Sequence, residues 1–72
     1  MEKDTALARF GLRLRGLREK AGLSQEELAD RAQVHRTYLS GIERGRRNPS
    51  LINLLRIARA LNISISALFD DV

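Results

Sequence analysis

Apolar residues recur along this chain at helical spacing, and no stretch alternates as a strand would. Phe10, Leu14, Leu17 and Ala21 fall at i, i+4, i+7 and i+11, one stripe that predicts a first helix over about Thr5 to Ala21. Gly22 stops it, and Leu23 can fold back on Leu17 as the apolar contact of a C-cap. Ser24 and Glu27 form an S-x-x-E capping box that opens a second helix, with Leu23 and Leu28 as its hydrophobic staple. Leu28, Ala29 and Ala32 supply the inward face of that helix. A third helix is predicted over about 35–44, with Val34 and Leu39 as staple. His35 is a mediocre cap there, and Gly45 suits the left-handed residue that ends many helices. Pro49 forces Asn48 out of helical geometry. Ser50 then caps a fourth helix whose Leu51, Leu54, Leu55, Ala58 and Leu61 make a broad apolar face, closed by Asn62. Ile63 and Leu68 flank Ser64 around a last short helix ending near Phe69. Met1 to Asp4 reads as a frayed start, and Asp70 to Val72 as an acidic, mobile end. The whole chain, 1–72, reads as one all-α domain, a compact five-helix bundle.

The third helix changes the picture from fold to function. On a wheel of about 100° per residue, Arg36, Thr37, Ser40, Gly41 and Arg44 share one arc, while Tyr38, Leu39, Ile42 and Glu43 share the other. Two readings fit this wheel. It is a solvated amphipathic helix, or it is the second helix of a helix-turn-helix that offers Arg36, Thr37, Ser40 and Arg44 to base edges and phosphates.

Composition favours the second reading. The chain has 72 residues and a net charge of +4, and eleven of its thirteen basic residues are Arg. The planar guanidinium fork suits phosphate and guanine. Arg36, Arg44, Arg46 and Arg47 against Glu43 place a charge of +3 within twelve residues, on the third helix and its following loop. Arg9, Arg13, Arg15 and Lys20 read as a solvated face of the first helix. Gly11 and Gly16 each cost that helix roughly 1 kcal/mol relative to Ala, a cost that close packing would explain.

Other chemistry is thin. Cys is absent and there is one His, so disulfides, thiolate metal sites and a metal cofactor are not expected. No carboxylate pair, Cys–His couple or phosphate-cradling Gly loop points to an enzyme. No apolar run approaches the roughly 20 residues of a membrane span and no signal peptide is visible, so the cytoplasm is the expected compartment. The length leaves no room for a separate effector domain, and no small-molecule effector is expected.

The residues resemble a known family. The run Leu23-Ser24-Gln25-Glu26-Glu27-Leu28-Ala29, then Val34, then Tyr38 to Gly45, then Asn48-Pro49-Ser50, resembles the Xre/Cro/CI-type helix-turn-helix proteins with the lambda-repressor-like fold. Leu54, Ile57-Ala58, Ala60-Leu61, Ile63-Ser64 and Leu68-Phe69 fit the last two helices of that family. Arg36 to Arg44 look most like the controller proteins of restriction–modification systems. The resemblance implies a sequence-specific regulator of double-stranded DNA, an autoregulatory controller in its sharpest form. It also implies site residues: Gln25 on a phosphate, Arg36 and Thr37 on bases, Tyr38 and Ser40 on bases or backbone, and Arg44, Arg46, Arg47 and Asn48 on the DNA backbone. Gly41 departs from a long polar residue common in the family, which removes one base contact. In phage repressors of the family, a pair at the places of Arg18 and Glu43 forms a buried salt bridge. The alternative for Glu43 is an exposed acid among arginines.

One recognition helix reads only a few base pairs, so a homodimer on an inverted repeat is expected, with half-sites about 10 bp apart or a multiple of that. Leu51, Leu55, Ile65 and Phe69 exceed what one small core needs and are the candidate dimer interface. RNA polymerase is a further candidate partner. The competing readings are a phage-type repressor and an antitoxin-like, protein-binding module on the same fold. The latter usually carries a toxin-wrapping segment, which is not visible here.

Overall fold

Each stretch of helical periodicity becomes a helix. In the computed structural model, which describes residues 5–72, the elements are α1 (Thr5–Lys20), α2 (Gln25–Ala32), α3 (Arg36–Glu43), α4 (Leu51–Ala60) and α5 (Ile65–Leu68), with no strand among the described residues. The expected frayed start, Met1 to Asp4, lies outside the described residues.

The helix starts follow the side chains that cap them. Ser24 Oγ accepts from the Glu27 N–H at 3.0 Å, and Glu27 Oε1 accepts from the Ser24 N–H at 2.9 Å, a reciprocal capping box. Hydrogen bonding from the Ser24 N–H, and then from its side chain, holds the Glu27 carboxyl pKa below its ordinary value. Ser50 and Ser64 cap α4 and α5 through the N–H groups of Asn53 and Ala67. His35 occupies the cap of α3 without a side-chain bond.

Four helices also end alike. Gly22, Gln33, Gly45 and Asn62 take left-handed backbone, at φ 75°, 58°, 73° and 58°. In each case the N–H of that residue reaches the carbonyl three back, and the next N–H reaches five back, as in Gly45 to Ile42 (3.0 Å) and Arg46 to Gly41 (2.8 Å). Glycine at two of these positions, and asparagine at a third, is what a sequence reader looks for. Gln33 is not, yet it takes the left-handed turn that links α2 to α3.

α2 packs on α4 and α3, α1 packs on α3, and α5 joins α1 to α4. Every helix contributes to one core: Leu14, Leu28, Leu39, Ile42, Ile57 and Leu68 are fully buried, with Phe10, Ala29, Ala32 and Ala58 beside them. α4 corrects the sequence reading. Its centre of burial is Ile57, which lay off the predicted stripe; Leu51 and Leu55, already named as exceeding the core, remain 66% and 42% exposed.

The C-terminal end is a second correction. Asp70 to Val72 are held rather than free. Val72 packs against the core, and its N–H donates to Phe69 O at 3.1 Å. Arg13 drives this: its Nε and Nη2 both donate to the Ala67 carbonyl, at 3.2 and 2.7 Å, and Nη2 lies 3.7 Å from the Asp70 carboxylate. Arg13 is thus a clamp on the end of α5 and not simply part of a solvated face. Arg9 reaches the Asp71 carbonyl at 3.4 Å, and the Phe10 and Phe69 rings stack with centroids 5.2 Å apart. Unpaired carbonyls at a helix end attract guanidinium groups, and α1 carries them where α5 stops.

Candidate nucleic-acid interface

The position of α3 is set at its C-terminal end. Gly11 of α1 lies against the carbonyls of Ile42 and Glu43 so closely that a Cβ would collide with both oxygens. Gly45 meets α1 in the same way, its missing Cβ lying 2.9 Å from Ala8 Cα. Two backbones can approach this closely only where side chains are absent.

An ion pair locks the same junction. Arg18 Nε and Nη2 donate to the two Glu43 carboxylate oxygens at 2.7 and 3.0 Å, while Nη1 donates to Leu23 O at 2.9 Å. The Glu43 side chain is 2% exposed and that of Arg18 11%. Hydrogen bonding to Glu43 raises the Arg18 pKa against the opposing effect of burial. A carboxylate at a helix C-terminus faces the negative end of the macrodipole, so Glu43 depends on this cation. Gln25 joins them: its Nε2 donates to Glu43 Oε1 at 3.0 Å. Among the described residues no buried side-chain polar atom lacks a partner. First turn of α2, last turn of α3 and the far half of α1 therefore form one polar knot.

With its C-terminal end held, α3 turns its N-terminal half outward. Arg36 and Thr37 are exposed, as are Arg44, Arg46, Arg47 and Asn48, and Ser40 is half-buried between them. None of these arginines forms an ion pair among the described residues. Gly41 is not on the open surface. Arg47 folds back across the helix over it, with Cγ 2.6 Å from where a Gly41 Cβ would stand. The Arg47 guanidinium then lies 5.8 Å from the Tyr38 ring centroid, within cation–π range. Tyr38 is half-buried, and its hydroxyl accepts from the Ser50 N–H at 3.3 Å. The sequence placed Arg47 in the loop; that it fills the space above Gly41 was visible only in three dimensions.

What this face can do follows from its groups. It offers guanidinium forks, hydroxyls and the amides of Gln25 and Asn48, all able to donate hydrogen bonds, around a helix that with its side chains is about 10–12 Å across, the width of a DNA major groove. Gln25 keeps one amide N–H after its bond to Glu43, so it retains a donor for an anion.

The helix-turn-helix family model matches residues 14–68. The chain belongs to that family. This helix-turn-helix protein is 51% identical over 65 residues to the control protein C.MunI of a Mycoplasma species, covering 89% of this chain and 88% of that one. The crystal structure of the restriction–modification controller protein C.AhdI from Aeromonas hydrophila superposes with a TM-score of 0.86 at 52% identity, covering 88% and 96% of the two chains. The controller C.Esp1396I superposes at 0.85 with 33% identity, covering 93% and 88%. Solved variants of C.Esp1396I replace an arginine, a threonine and a tyrosine at consecutive positions. Arg36-Thr37-Tyr38 is the same order of residue types. The protein is a helix-turn-helix, DNA-binding transcriptional regulator close to the restriction–modification controllers, and its relatives are regulators rather than enzymes. No helix among the described residues is long and apolar enough to cross a membrane.

Proposed function

We propose that this regulator binds an inverted-repeat operator as a homodimer and controls a restriction–modification operon that includes its own gene. The observation that carries this reading is α3 itself. It is locked at Glu43 by Arg18 and left open at Arg36 and Thr37, so its reading end is both rigid and free.

Arg36 pairs in a bidentate way with guanine O6 and N7, and Thr37 meets a thymine methyl or a neighbouring base. Gln25, Tyr38, Ser40, Arg44, Arg46, Arg47 and Asn48 hold the duplex, mainly through phosphates, and so fix register without reading sequence. Leu51 is the freest member of the dimer patch at 66% exposed, and Leu55 is 42% exposed. Phe69 is 44% exposed and gives one face to Phe10, while Ile65 is already half-buried. Ile52, 59% exposed beside Leu51, joins the patch, although the sequence reading passed over it. The protein acts in the cytoplasm without a small-molecule effector, and RNA polymerase is the further partner through which it acts on transcription.

The experiment is selection of bound duplexes from a random pool at near-physiological salt. Enrichment of an inverted repeat with half-sites about one helical turn apart supports the proposal. Recovery of unenriched DNA, with binding that vanishes as salt rises, overturns it and turns attention to a protein partner of the antitoxin kind. Within the enriched site, Arg36→Ala relaxes the preference at one base position, by roughly 1–3 kcal/mol of discrimination. A variant as selective as the parent at every position sinks the Arg36 assignment.

A further inference from the structure

The basic surface does not stop at the recognition helix. Residues 44–69 contain five arginines and no acid. Two clefts run together along this region. The first, of about 490 Å³, starts at the first turn of α3 with Thr37 and Tyr38, and is walled by Arg47, Asn53 and Arg56. The second, of about 360 Å³, is walled by Arg31, Arg56 and Arg59 between the end of α2 and α4. Gln33 and Arg56 belong to both, and neither lining includes an acid.

Arg47 lies over the Tyr38 ring, but no acid among the described residues holds any of these arginines. Among the described residues the ion pairs use Arg13, Arg15 and Arg18, and none uses Arg31, Arg47, Arg56 or Arg59. The acid one turn from Arg31 is Glu27, whose carboxylate accepts from the Ser24 N–H and feels the Arg31 charge only as the smallest of its influences, without an ion pair. Arg31 and Arg59 lie in the last turns of α2 and α4, where cations favour the helix. Arg56 has no such role, and it stands three residues from Arg59 on the same helix, a like-charge pairing that disfavours α4.

We propose that Arg47, Arg56 and Arg31 form a track that takes the sugar–phosphate backbone of duplex DNA outside the half-site. This rests on the DNA-binding reading above. The occupant is duplex DNA rather than a single anion for two reasons. The track is a line of charges, matching a polymer with one negative charge per roughly 1.7 Å of axis. Its mouth is also formed by Thr37, Tyr38 and Arg47, side chains already assigned to the operator, so a strand engaged there leads into it.

The test compares the parent with Arg31→Ala/Arg56→Ala. Both residues are exposed, so the variant folds, which circular dichroism verifies. Arg59 is left in place because it also lines the groove beside Leu55 in the dimer patch. Two duplexes carry the selected repeat, one ending at its outer edges and one extended by about 10 random base pairs on each side. The parent binds the longer duplex more tightly and with the steeper salt dependence. The variant binds the short duplex within about two-fold of the parent and gains little from the extension, its salt slope on the longer duplex falling by about 0.9 for each lost phosphate contact. Equal gains from the extension in both proteins, or none in the parent, overturn the track. If the parent binds the short duplex no better than a scrambled one, the operator reading fails and the track falls with it.

Discussion

Gly11 and Gly16 sit five residues apart on one helix and look equivalent in the sequence, yet they play different parts. A Cβ on Gly11 would collide with the carbonyls of Ile42 and Glu43, while one on Gly16 would meet nothing within 4 Å. Gly16→Ala is therefore expected to raise stability by about 0.5–1 kcal/mol through helix propensity, and Gly11→Ala to lower it by about 1–3 kcal/mol through overpacking. Urea midpoints that move in the same direction would contradict this division. Glu43 is the other residue on which the junction turns. Glu43→Ala leaves the Arg18 guanidinium buried with only Leu23 O, and should cost about 3–5 kcal/mol in chemical denaturation. The family resemblance put Arg18 and Glu43 together; the wheel alone left Glu43 on the arc of Leu39 and Ile42 with no partner named. That Gln25 shares the same carboxylate was not readable, because nothing local relates the first residue of α2 to the last of α3.

At the level of the element, α3 is short, and its ends are treated unequally. Its N-terminus has a weak cap in His35, and its C-terminus has the Gly45 turn, the Arg18 pair and the close approach of α1. Rigidity where the helix meets the protein, and freedom at the end proposed to meet DNA, suits a reading element. Gly41 belongs to the same design, since it makes room for Arg47 to lie across the helix onto Tyr38. Gly41→Ala should keep or raise stability, by up to about 1 kcal/mol, while pushing Arg47 off its seat. DNA binding should then weaken and lose about 0.9 from its salt slope, the signature of one missing phosphate contact. Unchanged binding by fluorescence anisotropy over a salt series would show that the seat of Arg47 has no part in the interface. α5 is the contrasting case. Four residues cannot hold themselves as a helix, and α5 exists because Ser64 caps one end and Arg13 clamps the other.

For the whole molecule, the question is what covers the apolar surface left over. Leu51, Ile52 and Leu55 stay exposed on α4, and Phe69 stays partly exposed after α5. A second copy of the chain would cover them. The parent is expected to sediment as a dimer at tens of micromolar and to show a Tm that rises with protein concentration. Leu51→Glu/Leu55→Glu should sediment as one chain and lose that dependence. A parent of single-chain mass would count against the dimer. By itself the sequence determined the helices, their serine caps, the glycine and asparagine stops and the arginine-rich face of α3, because each rests on residues within a turn or two of one another. The tertiary structure decided that Ile57 is the centre of burial on α4, that Arg13 captures the C-terminal end, and that Arg47 covers Gly41. Those choices depend on which surfaces other helices present, and periodicity within one helix carries no record of its neighbours.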